Sequence, residues 1–319
     1  MPHRGSLQFW QHRRARRRLP RARSAPALKD PMPVNIVAYK VGMAHVGMLD
    51  DSESPSKNTE ISTSCTVLEI PKVDVYGARF YTKDQNGYRV ISHEIHNREL
   101  AKRFNEKNLK NDETKLSQMK DKLNEFSDIT ALLVAHPKGM SVEQHQSIRF
   151  ESALGGSKEE KFNFISSRIG KEVKIAEMIK PGEYIDVSSV TKGKGWQGVI
   201  KRFGVARLYH KATGKIRHVG TLGPFTPGKV LFTVPQAGQL GFNYRTEVNK
   251  RVLKVGSSTD AQKINPKSGF ANYGNVKNDY IVVKGSIGGP AKRLVRIRKS
   301  TRSQKGIKEP KINYTSINN

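Results

Sequence analysis

Acidic residues are scarce in this chain, and between Asp186 and Glu247 there are none at all. Over 319 residues, 57 Lys and Arg stand against 28 Asp and Glu, a formal net charge of +29 at pH 7. Such an imbalance disfavours cationic partners and selects a polyanion, with nucleic acid first. Cysteine is almost missing as well: Cys65 is the only one, which excludes a disulfide framework and fits a reducing compartment. It lies in the strand-like run STSCTVLEI and reads as a small core residue rather than a nucleophile. There is no run of about 18 apolar residues and no basic amphipathic helix with a broad apolar face, so no membrane partner is expected. The Arg-rich start is not followed by the apolar core of a signal peptide. HExxH and GxSxG are absent, and the histidines have no cysteine partner nearby. His93 and His96 in HEIH sit at a strand end without third and fourth ligands close by. Neither metal, cofactor nor small-molecule substrate is expected, and nothing in the pattern supports an enzyme.

One stretch carries the spacing of a cofactor motif. TKGKGWQG, residues 191–198, spaces Gly193, Gly195 and Gly198 as GxGxxG. A dinucleotide fingerprint needs a strand before these glycines, a helix after them, and an acid about 20 residues on to hold the ribose. YIDVSSV (184–190) supplies the strand, but VIKRFGVARLYHKATGKIRHVG has no helical apolar period, and the acid is missing. The glycines instead suit tight turns where backbone approaches phosphate, with Lys192, Lys194, Lys201 and Arg202 around them.

The charge is unevenly spread. From Glu94 to Asp186 acids and bases are equal in number, so the excess lies outside that third of the chain. Residues 1–33 form a basic arm, with no acid before Asp30 and with Pro20 and Pro26 arguing against one continuous helix. Phe9 and Trp10 offer stacking surfaces beside its arginines. Residues 193–246 form a Gly-rich basic loop that cannot bury enough apolar surface to fold alone and must be ordered by something negative. The C-terminal bases include Arg293, Arg296 and Arg298; in LVRIRKS the alternation predicts one inward and one charged face.

Strands are predicted in VNIVAYKVGMAHVGML, TVLEI, VYGARFYTK and YRVISHEI, the last two joined at DQNG, whose Asn86-Gly87 is a hairpin signal. Further strands are read in ALLVAH, YIDVSSV, EVNKRVLKVG, YIVVKGS and LVRIRK. Many short strands with Gly turns suggest a closed β-barrel. A solvent-facing helix is predicted over 97–126, and a second from Ser157, with Glu160 completing a capping box, towards Arg168. The reading is mainly β with an α insertion: barrel over 34–93, insertion over 94–180, barrel strand over 181–192, barrel again over 247–300, and a basic tail over 301–319.

DVSSVTKGKGWQGVIKR, from Asp186 to Arg202, resembles the signature of the universal large-subunit ribosomal protein number three family: the Asp, Ser189, Thr191, Gly193 to Gly195, Gly198 and Arg202. The pattern usually has Phe or Leu seven residues before the Asp, where this chain has Ile179. RGSLQFW is similar to the arm of the archaeal and eukaryotic branch. AYKVGMAH resembles the first barrel strand of the family, and TVPQAGQLGFNYRTEVNKRVLKVG and GFANYGNVKNDYIVVKGSIGGPAKRLVRIRK resemble its later segments, all in the family's order. The insertion and the modest length point to an archaeal member.

The resemblance implies a six-stranded translation-protein β-barrel on the outside of the large subunit, binding near the 3′ end of the 23S rRNA and nucleating assembly. Arm and loop would thread into the rRNA, and the loop tip would approach the peptidyl-transferase centre. The tip usually carries a Trp in G-x-W-x-P; here GPFTPG puts Phe225 there, keeping the stacking face and losing the indole N–H. Expected rRNA contacts are Arg4, Arg13, Arg14, Arg16 and Arg17 in the arm. In the loop they are Lys192, Lys194, Trp196, Lys201, Arg202, Arg207, Lys211, Lys215, Arg217, His218, Lys229 and Arg245, with Arg293, Arg296 and Arg298 at the C-terminus. Large-subunit proteins fourteen and twenty-four-e are the implied protein neighbours. Two other classes stay open: a free RNA-binding assembly factor, and an RNA-modifying enzyme using the GKG loop for a cofactor.

Overall fold

The computed structural model describes residues 10, 13–21, 24–104, 115–142, 146–302 and 308–316. The chain divides into two compact units: Met1–Arg18 with Val190–Arg245, and Leu19–Ser189 with Thr246–Asn319. The larger unit holds most of the regular structure and is mainly β.

It begins with β1 (Asn35–Leu49), β2 (Glu60–Glu69), β3 (Lys72–Lys83) and β4 (Arg89–His96). The first two pair antiparallel over nearly their whole length. β3 and β4 form the predicted hairpin, closed where Gly87 N–H donates to the Asp84 carbonyl at 2.8 Å. Gly87 has φ +77°, the conformation this turn demands and a side chain resists. Next come α1 (Arg98–Arg103), α2 (Leu116–Asp121), β5 (Asp128–His136), β6 (Ile148–Ala153), α3 (Lys158–Arg168), α4 (Ile175–Met178) and β7 (Tyr184–Val190). The single helix predicted over 97–126 is corrected: α1 ends at the Phe104 C-cap, α2 starts separately, and residues 105–114 lie outside the described residues. The helix at Ser157 is borne out, with both halves of the capping box formed.

β8 (Gly193–Gln197), α5 (Val199–Phe203) and β9 (Gly238–Gly241) belong to the smaller unit; β10 (Tyr244–Gly256), α6 (Ala261–Ile264), β11 (Tyr280–Lys284), β12 (Leu294–Lys299) and β13 (Ile312–Thr315) complete the chain. The larger sheet runs β12-β7-β10-β11-β2-β1-β13, with β12 also pairing with β1. A second sheet runs β4-β3-β5-β6. α3 packs on β5 and β3, burying Phe162 and Ile165. Cys65 is fully buried in β2, its Sγ 3.2 Å from the Ala44 carbonyl oxygen, and burial pushes its thiol up to about 11. That is the expected core cysteine.

β12 departs from expectation. Its pattern predicts one charged face, yet Leu294 to Ile297 are all buried. The strand lies between β1 and β7, so both of its edges are paired, and the face that carries Arg296 and Arg298 is covered by the segment of Pro20 and Ser24. Arg296 is 8% exposed and donates to the carbonyls of Pro20, at 3.3 Å, and Glu151. Arg298 donates from Nε and Nη2 to Asp186 Oδ2 at 3.1 and 2.9 Å, and from Nη1 to the Ser24 carbonyl at 2.8 Å. Asp186 is fully buried and also accepts from the Asn249 N–H at 3.0 Å. Asp186 neutralises the Arg298 guanidinium, and carbonyl acceptors satisfy that of Arg296, groups that would otherwise be costly to bury.

Removing only one side of the Asp186–Arg298 pair should strand a buried cation. Asp186→Ala is expected to cost about 3 kcal/mol of stability, read as a lower urea midpoint at unchanged slope. Asp186→Asn, which keeps an acceptor for the Asn249 N–H, should lose less.

Candidate nucleic-acid interface

The smaller unit is built with little regular structure. In β8 the register slips between Gly193 and Trp196, and Gly195 lies inside that slip with φ +65°. A glycine in the left-handed region inside a bulge twists the strand and re-aims the next side chain. Trp196 stands 77% exposed. A Cβ on Gly195 or Gly198 would meet nothing within 4 Å, so backbone and open space adjoin here. The sequence predicts no helix after these glycines; α5 corrects that. It is a single turn capped by Gly198 and ended by Gly204 at φ +67°. At five residues it is too short to serve as the helix of a dinucleotide fold.

The base of the loop is tied to the arm through backbone groups. The Ala15 N–H donates to the Phe242 carbonyl at 2.7 Å, and Asn243 Nδ2 donates to the Arg13 carbonyl at 2.7 Å. The Tyr244 hydroxyl accepts from the Arg17 N–H at 3.2 Å and donates to its carbonyl at 2.8 Å. Trp10 packs on Phe203 with ring centroids 4.9 Å apart. None of Phe203, Phe242, Asn243 and Tyr244 is among the residues read from sequence as functional, because the last three meet main-chain atoms of the arm and Phe203 meets the distant Trp10 ring, pairings with no local sequence signature. Gly241, at φ +75°, lets β9 close on β8, since a Cβ there would lie 2.0 Å from the Lys192 carbonyl oxygen.

Of the sequence-predicted contacts, Arg4 lies outside the described residues. Arg13, Arg14, Arg16, Arg17, Lys192, Lys194, Lys201, Arg207, Lys211, Lys215, Arg217, His218, Lys229 and Arg245 are all exposed. No acid lies in the loop to neutralise them. Arg202 is different: it donates from Nε to the Gln239 carbonyl at 3.1 Å and from Nη1 to the Gln236 carbonyl at 2.8 Å, clasping the two ends of the loop. Burial lowers its pKa. In the larger unit, Arg293 is half-buried, Arg296 is buried with its pKa pushed down to about 10 by desolvation, and Arg298 is held by Asp186 and Ser24.

Exposed aromatics accompany the cations. Phe225 is 97% exposed, in a segment whose Thr226-Pro227 bond is cis. Phe232 and Tyr209 are 78% and 72% exposed, and neither is singled out by the sequence reading. The surface thus offers cations for phosphates and rings for bases, the pair of features that single-stranded and irregular RNA engages. His93 and His96 are three residues apart on β4 and so face opposite ways. Among the described residues no group of three or more His, Cys, Asp or Glu is placed to hold a metal ion, and no helix is long and apolar enough to cross a membrane.

Known sequences match this chain along nearly its whole length. The family model for ribosomal protein L3 matches residues 1–318. A large ribosomal subunit protein uL3 from Methanobrevibacter smithii is 40% identical over 99% of this chain and 96% of its own length. The uL3 proteins of Methanothermobacter thermautotrophicus and Methanocaldococcus jannaschii are 39% and 37% identical, again over 99% of this chain and 96% of theirs. A match that spans arm, strands, glycine loop and C-terminus alike leaves no part of the chain unaccounted for: it belongs to the ribosomal protein L3 family.

Proposed function

We infer that this chain is a structural protein of the large ribosomal subunit, not an enzyme, and that its smaller unit is the principal rRNA-binding surface. The observation that carries this reading is the exposed, acid-free array of cations and rings in the loop. Electrostatic self-repulsion opens such a stretch in water, and RNA phosphates remove it with release of counterions. The contacts proposed are the exposed arm arginines, Arg4 by family resemblance, and the exposed loop cations with Trp196. Arg202 holds the loop closed, and Arg296 and Arg298 act inside the fold as posts for the arm segment that follows Leu19.

The six strands β1, β2, β11, β10, β7 and β12 pair in a circuit, which supports the translation-protein barrel that the family implies. The site near the 3′ end of the 23S rRNA, the nucleation of assembly, the approach of Phe225 to the peptidyl-transferase centre and the neighbouring proteins fourteen and twenty-four-e are proposed on the same resemblance. The charge-balanced stretch from Glu94 to Asp186 is the face suited to solvent or protein neighbours.

Sedimentation of a lysate through a sucrose gradient after a high-salt wash tests the role: one copy per large subunit is expected, whereas loss on washing or confinement to immature particles would mark an assembly factor. Replacing Lys192, Lys194 and Lys201 by Ala should leave the protein folded and reduce the slope of log affinity against log salt by roughly 2 to 3; an unchanged slope would remove this face from the interface. Phe225→Ala should alter peptidyl transfer or antibiotic response more than subunit yield, and normal activity in normal subunits would count against the tip assignment.

A further inference from the structure

Tyr209 is 72% exposed, yet the backbone around it is tied into a turn. The Leu208 N–H donates to the Ile216 carbonyl at 3.0 Å and closes the base of that turn. Inside it, the Ala212 N–H donates to the Tyr209 carbonyl at 2.9 Å, and the Lys215 N–H to the Ala212 carbonyl at 3.2 Å. Beyond the base, the His218 N–H donates to the Lys215 carbonyl at 3.0 Å. Gly214, at φ +72°, takes the left-handed conformation that lets the chain reverse so tightly. Leu208 is half-buried, its Cδ2 3.7 Å from where a Cβ on Gly220 would stand. The Tyr209 ring is thus displayed on a backbone already held in place, so a partner that stacks on it orders little else.

The surroundings narrow the choice of partner. The His210 ring lies against Tyr209, centroids 4.3 Å apart and planes at 44°, and the high exposure of Tyr209 leaves the rest of its ring to solvent. Arg207, Lys211, Lys215 and Arg217 belong to the same short segment and are all exposed. No acid occurs between Asp186 and Glu247 to cancel them. An acidic protein surface would satisfy these cations and leave the ring face unused. A duplex would also satisfy them, but its bases are stacked on one another and offer no face. A base out of the stack, carried between its own phosphates, meets both demands at once. Every base has such a face, so the site selects for an unpaired nucleotide rather than for a particular base.

We propose that the turn over 207–218 is a contact selective for unpaired RNA: one rRNA base stacks on the open side of Tyr209, with the adjoining phosphates on Arg207 and Lys211. The proposal rests on the rRNA-binding reading above and adds to its electrostatics a contact that salt does not screen. The test uses the full-length protein and a large-subunit rRNA transcript. Binding isotherms at several salt concentrations and nucleotide-resolution chemical probing compare wild type with Tyr209→Ala, Tyr209→Phe and Lys211→Ala. Both positions are exposed, so the variants keep the fold. Tyr209→Ala is expected to lower affinity roughly fivefold or more at every salt concentration. The slope of log affinity against log salt should stay as in wild type, and one unpaired nucleotide that wild type protects should become reactive. Tyr209→Phe keeps the ring and should bind and protect like wild type, while Lys211→Ala should lower the slope by about 1. Wild-type affinity and protection in Tyr209→Ala would overturn the proposal and leave the rRNA reading intact. So would an equal loss in Tyr209→Phe, which would make the hydroxyl and not the ring face the contact, or a protected nucleotide that lies in a duplex. If wild type does not bind the transcript, the rRNA reading falls and this proposal with it.

Discussion

Like charges brought close together repel, and the smaller unit has no acid in its loop with which to cancel them. Every feature of that unit answers to this constraint. Its order comes from interactions that do not depend on ion pairs: main-chain hydrogen bonds from the arm to Phe242, Asn243 and Tyr244, the packing of Trp10 on Phe203, and glycines that allow close backbone approach. The clasp formed by Arg202 follows the same rule, because its partners are carbonyl oxygens. Charge left uncancelled within the protein is charge available to phosphate.

The larger unit solves the same problem in the opposite way. Several of its arginines are paired with acids: Arg79 with Glu94 and Glu151, Arg251 with Asp51, Arg298 with Asp186. The Asp51 carboxyl is held below its ordinary range, chiefly by the hydrogen bonds from Arg251. Pairing lets cations enter a β structure without leaving isolated buried charge. One chain thus contains a neutralised scaffold and an uncancelled probe, and the sequence boundary between them falls where the acids stop, after Asp186.

Much of this was legible without coordinates. Alternating β-branched runs located the long strands, Asn86-Gly87 located the hairpin, and the S-x-x-E box located α3, because each is a local signal with a local cause. The GxGxxG stretch lacks the acid that a dinucleotide fold needs, but that it forms the strand β8 was not foreseen. What the sequence misled on was context. The alternation in LVRIRK is indistinguishable from an exposed amphipathic strand until the segment of Pro20 and Ser24 is seen on its charged face. β6, β8, β9 and β13 are short and glycine-rich or polar, so their pairing is set by distant strands rather than propensity. The anchors of the arm escaped notice for the same reason, since Asn243 and Tyr244 bind backbone and Phe203 binds a ring far away in the sequence.

The posts formed by Arg296 and Arg298 have a consequence for the order of events during synthesis. The carbonyls of Pro20 and Ser24, among the first parts of the chain to be made, are held by side chains close to its far end. β1 likewise waits for β12 as one of its partners. The N-terminal segment therefore spends nearly the whole of translation without its final contacts, a basic strand-forming stretch loose in an RNA-rich surrounding. The contacts of this early segment are completed only once β12 has been made, so its folding depends on pairings of large sequence separation.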